Sequence, residues 1–285
     1  MILAAIAWLT IREAARRRLF VALVLITIAS VALSAWGFVQ VRDALPPSGV
    51  TGEVQRQLIY SQLVILVTFM FSFILALSAV FIAAPVIAGE LESGVALTVI
   101  ARPVRRAEYL LGKWLGVALL VCVYAVASGT VELVVVRALT GFAPPAPVDA
   151  VVYLCAEALV LLSLTILFST RLSAITAGVA GVAIFGLAWV GGIIGGIGVA
   201  LGEPGVARVG DLTRLLLPTD GLWRGVVYHL EPPSLLVALG QAGPAAAAFP
   251  FFVDAPPATS FVLWCIGWFV VVLGLAILSF RRREI

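Results

Sequence analysis

The chain has 285 residues, 62% of them apolar and 12% charged, with a formal net charge of +3 and a mean hydropathy of +1.16. A soluble domain of this length carries about 25% charge and at most about 50% apolar residues, so a water-soluble enzyme is excluded. Disorder and a nucleic-acid-binding face are excluded too, because the small positive charge sits beside apolar runs instead of forming a basic patch. Composition places the chain in a bilayer as an all-α polytopic membrane protein. Cys122, Cys155 and Cys265 lie inside apolar runs and read as small hydrophobes, not as a disulfide framework. The one histidine, His229, has no Cys or carboxylate at ligand spacing, so neither a metal nor a cofactor site is expected in this chain.

In chain order, residues 1–18 predict an amphipathic helix lying along the membrane surface. Ile2, Ile6, Leu9 and Glu13 share helical spacing, Trp8 is an interface anchor, and Arg16, Arg17 and Arg18 mark the end. The alternative is a plain extension of the first span. The apolar run continues past Ala35 to Val41, so a cleaved signal peptide is not expected. A spanning helix needs about 20 mostly apolar residues, and six stretches qualify: 19–41, 58–88, 114–136, 151–170, 173–201 and 260–280. One set of flanks carries twelve cations, among them Arg12, Arg102, Arg105, Arg106, Lys113, Arg171 and Arg281, against five acids; the opposite set carries six cations against eight acids. The positive-inside rule then predicts that both termini are cytoplasmic.

Residues 89–113, between the second and third stretches, are longer and more charged than a connector requires. Glu90 and Glu92 follow an uncharged run from Gln57 to Gly89, so the second span is expected to project below the membrane with the acidic pair at its tip. Pro103 is suited to open a helix that leaves Arg105, Arg106 and Glu108 to water or a partner. Two readings stand side by side, a docking surface and charges that only fix topology. No phosphate-cradling Gly-x-x-x-x-Gly-Lys-Ser/Thr occurs; Gly112-Lys113 runs into Trp114.

The succession Glu90-x-Glu92-x-Gly94, an apolar stretch, Pro103-x-x-Arg106, then Glu108-x-Leu-Leu-Gly-Lys113 resembles the cytoplasmic loop of the ABC type 2 permeases, the membrane subunits of ATP-binding-cassette exporters. Val95 and Arg102 depart from that pattern, where Thr and a small polar residue are common. The resemblance implies that 1–285 is a single permease domain, with 89–113 as coupling loop and 202–257 as an outer segment. It also implies that Glu90, Glu92, Gly94, Pro103, Arg105, Arg106 and Glu108 meet a separate ATPase, of which two copies would bind ATP and Mg. A homodimer or heterodimer of permeases in the plasma (inner) membrane of a prokaryote follows from it, with an outer accessory protein as a further candidate partner. The subgroup serving nitrous oxide reductase maturation belongs to the same family.

Three other features complete the reading. Gly191 with Gly195 and Gly192 with Gly196 form overlapping Gly-x-x-x-Gly pairs, for a dimer seam or for packing within one protomer. Glu132 and Glu157 lie inside apolar runs, either as a polar lining to a pathway or as snorkelling or mutually bracing groups near Arg137. In 202–257, Pro218-Thr219-Asp220 carry N-cap chemistry for a short helix to Leu230, with Trp223 and Tyr228 as anchors, and Ser234 does so for Leu235–Leu239. Competing functions are an ion channel or secondary carrier, which leaves the charged loop unexplained, and an intramembrane enzyme, for which the spans contain no Asp pair or Ser–His set.

Overall fold

A computed structural model describes residues 2–15, 18–45, 50–94, 105–240 and 243–283. Every regular element among them is helical: α1 (Ile2–Ala15), α2 (Arg18–Ala44), α3 (Val50–Glu92), α4 (Arg106–Thr140), α5 (Pro147–Ser169), α6 (Ala174–Leu201), α7 (Pro204–Leu216), α8 (Thr219–Leu230), α9 (Pro233–Gly240) and α10 (Thr259–Arg281), with a 3-10 turn at Gly243–Ala248. Six of them, α2 to α6 and α10, are long and apolar enough to cross a membrane, which is the number that composition predicts.

The helices outrun the apolar stretches within them. α3 has 43 residues, a rod of ~65 Å at about 1.5 Å per residue, against ~30 Å of hydrocarbon. Residues 89–92 are the end of α3, and 106–113 are the start of α4. Helical spacing in that part of the expected loop therefore belongs to the spans themselves. Chain punctuation sets the other limits. Gly141 and Gly202 end α4 and α6 with φ of 74° and 69°, returning their N–H groups to the last turn. Pro147 and Pro204 open α5 and α7, where a missing N–H costs nothing. Ser173 caps α6, its Oγ accepting from the Thr176 N–H at 3.3 Å.

α3 and α5 form the centre, with Val64, Ile65, Leu161, Leu162 and Ile166 fully enclosed. Around them stand α4, α6 and α8, while α10 leans on α5 and α4. α2 is outermost, resting mainly on α4, and turns Val21, Leu25, Ile28 and Leu33 outward. Apolar side chains on that surface meet no penalty in lipid.

Residues 202–257 differ from expectation in two respects. α7 is an amphipathic helix that the apolar pattern did not announce, seated along α6. At α8 the cap position is Pro218, without a side-chain cap; Thr219 and Asp220 belong to the first turn, and the Asp220 carboxylate accepts from Arg214 Nε at 2.7 Å. Ser234 likewise lies inside α9 and does not cap it.

Candidate functional site

At one end of the bundle α3 and α10 finish while α4 and α6 begin, and here the basic flanks collect. Pro103 and its neighbours 95–104 lie outside the described residues. Gly94 takes a φ of 75°, a left-handed turn that lets the chain leave α3 sharply.

The two acids expected to share a tip part company. Glu90 turns inward and accepts from both the Tyr109 hydroxyl and Lys113 Nζ. Lys113 is 7% exposed, and its ammonium also lies 3.5 Å from Glu13 Oε2, so one buried cation ties α1, α3 and α4 together. Glu92 turns the other way, and its Oε1 accepts from the Ala174 N–H at 3.1 Å, placing a carboxylate on the positive end of α6. Arg106 donates to the Arg281 and Arg283 carbonyls at 3.1 and 2.7 Å, the negative end of α10. Arg283 donates to the Thr170 carbonyl at 2.5 Å, closing α5, and Arg171 reaches Ser279 on α10. Glu92, Arg106, Arg171 and Arg283 each meet a helix end of complementary sign. Arg105 is exposed and Glu108 half-buried at the same face.

Close approach of α1 to this face depends on Gly112 and Gly116, another small-x-x-x-small pair. A Cβ on Gly112 would lie 2.8 Å from Ile6 Cβ, and one on Gly116 would lie 2.6 Å from the Ala7 carbonyl oxygen. On α6 the pairs singled out by sequence are filled from within the chain. A Cβ on Gly191 would meet Thr213, one on Gly195 the Gly210 Cα at 2.5 Å, one on Gly192 the Asp220 carboxylate, and one on Gly196 the Ala247 carbonyl. α7, α8 and the 3-10 turn are therefore seated on these glycines.

A family model described as ABC-2 family transporter protein matches residues 4–285. The chain belongs to that family. A search of curated proteins finds no match. ABC-2 membership makes this chain a membrane component of an ABC transporter, multi-pass and working with an ABC ATPase subunit. The helix-end contacts above lie at the two margins of the segment that joins α3 to α4 in this ABC-2 chain.

Within its spans, Glu132 and Glu157 are 2% and 3% exposed. They neither brace one another nor pair with Arg137: Ser34 Oγ on α2 lies 3.0 Å from Glu132 Oε2, and Ser72 Oγ on α3 lies 2.8 Å from Glu157 Oε2. Sequence reading also passed over an aromatic cluster. Phe69 and Phe73 of α3 pack on Trp189 and Phe185 of α6, on Trp223 of α8 and on Phe251. Its signal was the i, i+4 spacing of Phe69 and Phe73. Among the described residues no group of three or more His, Cys, Asp or Glu is placed to hold a metal.

At the opposite end, Glu231 follows α8 and is 2% exposed, with Oε1 accepting from the Val253 N–H at 3.1 Å. Burial pushes its carboxyl from 4.5 up to about 8, against the lowering effects of that N–H and of Arg224. The folded state then holds a proton that the unfolded chain has lost, so stability falls as pH rises from 4.5 to about 8 and levels off above it. Melting of the detergent-solubilised chain between about pH 5 and about pH 9 is expected to show this slope, and Glu231→Gln to make it shallower by one group's share. A slope unchanged by that substitution contradicts the assignment.

Proposed function

We propose that the chain is the permease subunit of an ATP-driven exporter, working as a dimer with two separate ATPase subunits that bind ATP and Mg. Its basic end faces the cytoplasm of a prokaryote, with both chain termini on that side of the plasma membrane, in line with the positive-inside rule. The observation that carries this reading is the fastening of the α3–α4 segment. Glu92 holds the start of α6, Arg106 holds the end of α10, and Lys113, paired with Glu90, holds Glu13 of α1. A partner that displaces this segment moves α6 and α10 without play, because fixed charge contacts sit at both margins. Closure of the ATPases on ATP supplies that displacement, and hydrolysis resets it.

Of the described charges in the α3–α4 segment, Glu90, Glu92 and Arg106 are engaged within the chain, so we assign Arg105 and Glu108 to the partner. Arg105→Glu with Glu108→Arg is expected to leave insertion and melting intact while lowering substrate-stimulated ATPase activity roughly tenfold, through repulsion at the docking face. Full coupled transport by that variant would refute the reading.

A further inference from the structure

Beside Glu132 lies a small space of about 20 Å³, bounded by α3, α4, α5 and Leu230 of α8. Its polar walls are Glu132 itself, Ser128 and Thr68, and the rest is apolar. One carboxyl oxygen, Oε1, is buried and has no hydrogen-bond partner among the described residues. The other, Oε2, is 3.0 Å from Ser34 Oγ, and the same Ser34 Oγ is 3.0 Å from the Val31 carbonyl oxygen. A serine hydroxyl has a single hydrogen and cannot serve both acceptors. A helical serine can give it to the carbonyl of the preceding turn. Both contacts of Ser34 Oγ are then hydrogen bonds at once if the carboxyl brings its own proton.

We propose that Glu132 is an intramembrane proton site with a bound water: its carboxyl is carried neutral, donating to Ser34, while Oε1 accepts from one water molecule held in the adjoining space. Among the described residues no Lys, Arg or His lines that space, and α2 presents the uncharged Ser34. An ionised carboxylate there would have one hydroxyl and no cation to answer it. The volume suits a single water, which needs about 10–15 Å³ and two to four polar partners. Ser128 Oγ donates to the Tyr124 carbonyl at 2.8 Å, so its lone pairs are left to accept the second hydrogen of the water. A hard divalent cation is a poor fit, since it takes about six oxygens where the wall offers one carboxyl and two hydroxyls.

Infrared spectra of the full chain in lipid nanodiscs test this. The difference between wild type and Glu132→Gln at neutral pH is expected to contain one protonated-carboxyl band that shifts in deuterated water; Glu157 cancels because both chains carry it. Absence of the band overturns the proton site, and a band that sodium ions titrate away overturns it in favour of a cation site. Gly129→Ala sets a methyl 3.2 Å from Val151 Cγ2 at the wall, filling the space of the water. The band is then expected to move to higher frequency, and an unmoved band shows the space to be dry and overturns the water. Should Glu132→Gln fail to insert, Ser34→Ala decides: the carboxyl band is expected to persist and shift, and a spectrum identical to wild type overturns the assignment.

Discussion

Replacing Lys113 by Met is expected to destabilise the chain by about 3 kcal/mol, at the lower end of the cost of breaking a buried ion pair. The side chain of Lys113 is 9% exposed and that of Glu90 15%, so losing the ammonium takes a contacting cation from an enclosed carboxylate that also accepts from the Tyr109 hydroxyl. Glu13 is 47% exposed and water screens it, so its share of the loss is small. A melting point lower by roughly 5–10 °C in detergent checks the prediction. Removing the stranded charge as well, with Glu90→Gln on the Lys113→Met chain, is expected to recover most of the loss, since uncharged neighbours of similar volume substitute well for a buried pair. Equal melting of wild type and Lys113→Met would show that the junction of α1, α3 and α4 does not depend on this cation.

The same junction shows what a sequence discloses and what it withholds. Six spans are legible because about 20 apolar residues in a row have no other stable placement. Where those helices end is not legible, because the last turns of α3 and the first of α4 are polar and are held by contacts from α1, α6 and α10. Glu90 and Glu92 read as a pair in the sequence. Residues two apart on a helix point about 200° away from each other, which is why one reaches Lys113 and the other reaches the start of α6. α7 was hidden by its charges and by Gly205 and Gly210, which read as loop, although Val206, Val209, Leu212 and Leu216 keep helical spacing. Of the glycine pairs, those in the glycine-rich run of 173–201 stand out, while Gly112 belongs to the charged loop motif and Gly116 falls in the next apolar stretch, so the two do not read as a pair. A glycine's meaning lies in the opposite surface, which the sequence does not place.

Gly116→Leu is expected to lift α1 off α4. The atom that a Cβ there would strike first is the backbone oxygen of Ala7, 2.6 Å away, and the next is Thr10 Cβ at 2.8 Å. Backbone cannot swing aside as a long side chain can, so α1 must move as a whole, at a cost of about 3 kcal/mol or more. Ala7, Thr10 and Ala14 are now 8%, 3% and 8% exposed, and separation would uncover that face. A cysteine introduced at Ala7 is expected to resist a water-soluble maleimide in the otherwise native chain and to react readily in the Gly116→Leu chain. Gly37→Leu is the control, because nothing lies within 4 Å of a Cβ at that position on α2. Since Glu13 rides on α1, the shift also draws it away from Lys113, so Gly116→Leu and Lys113→Met act on one seam. Their combined cost is expected to fall short of the sum, whereas strict additivity would place the glycine contact and the ion network in separate parts of the molecule.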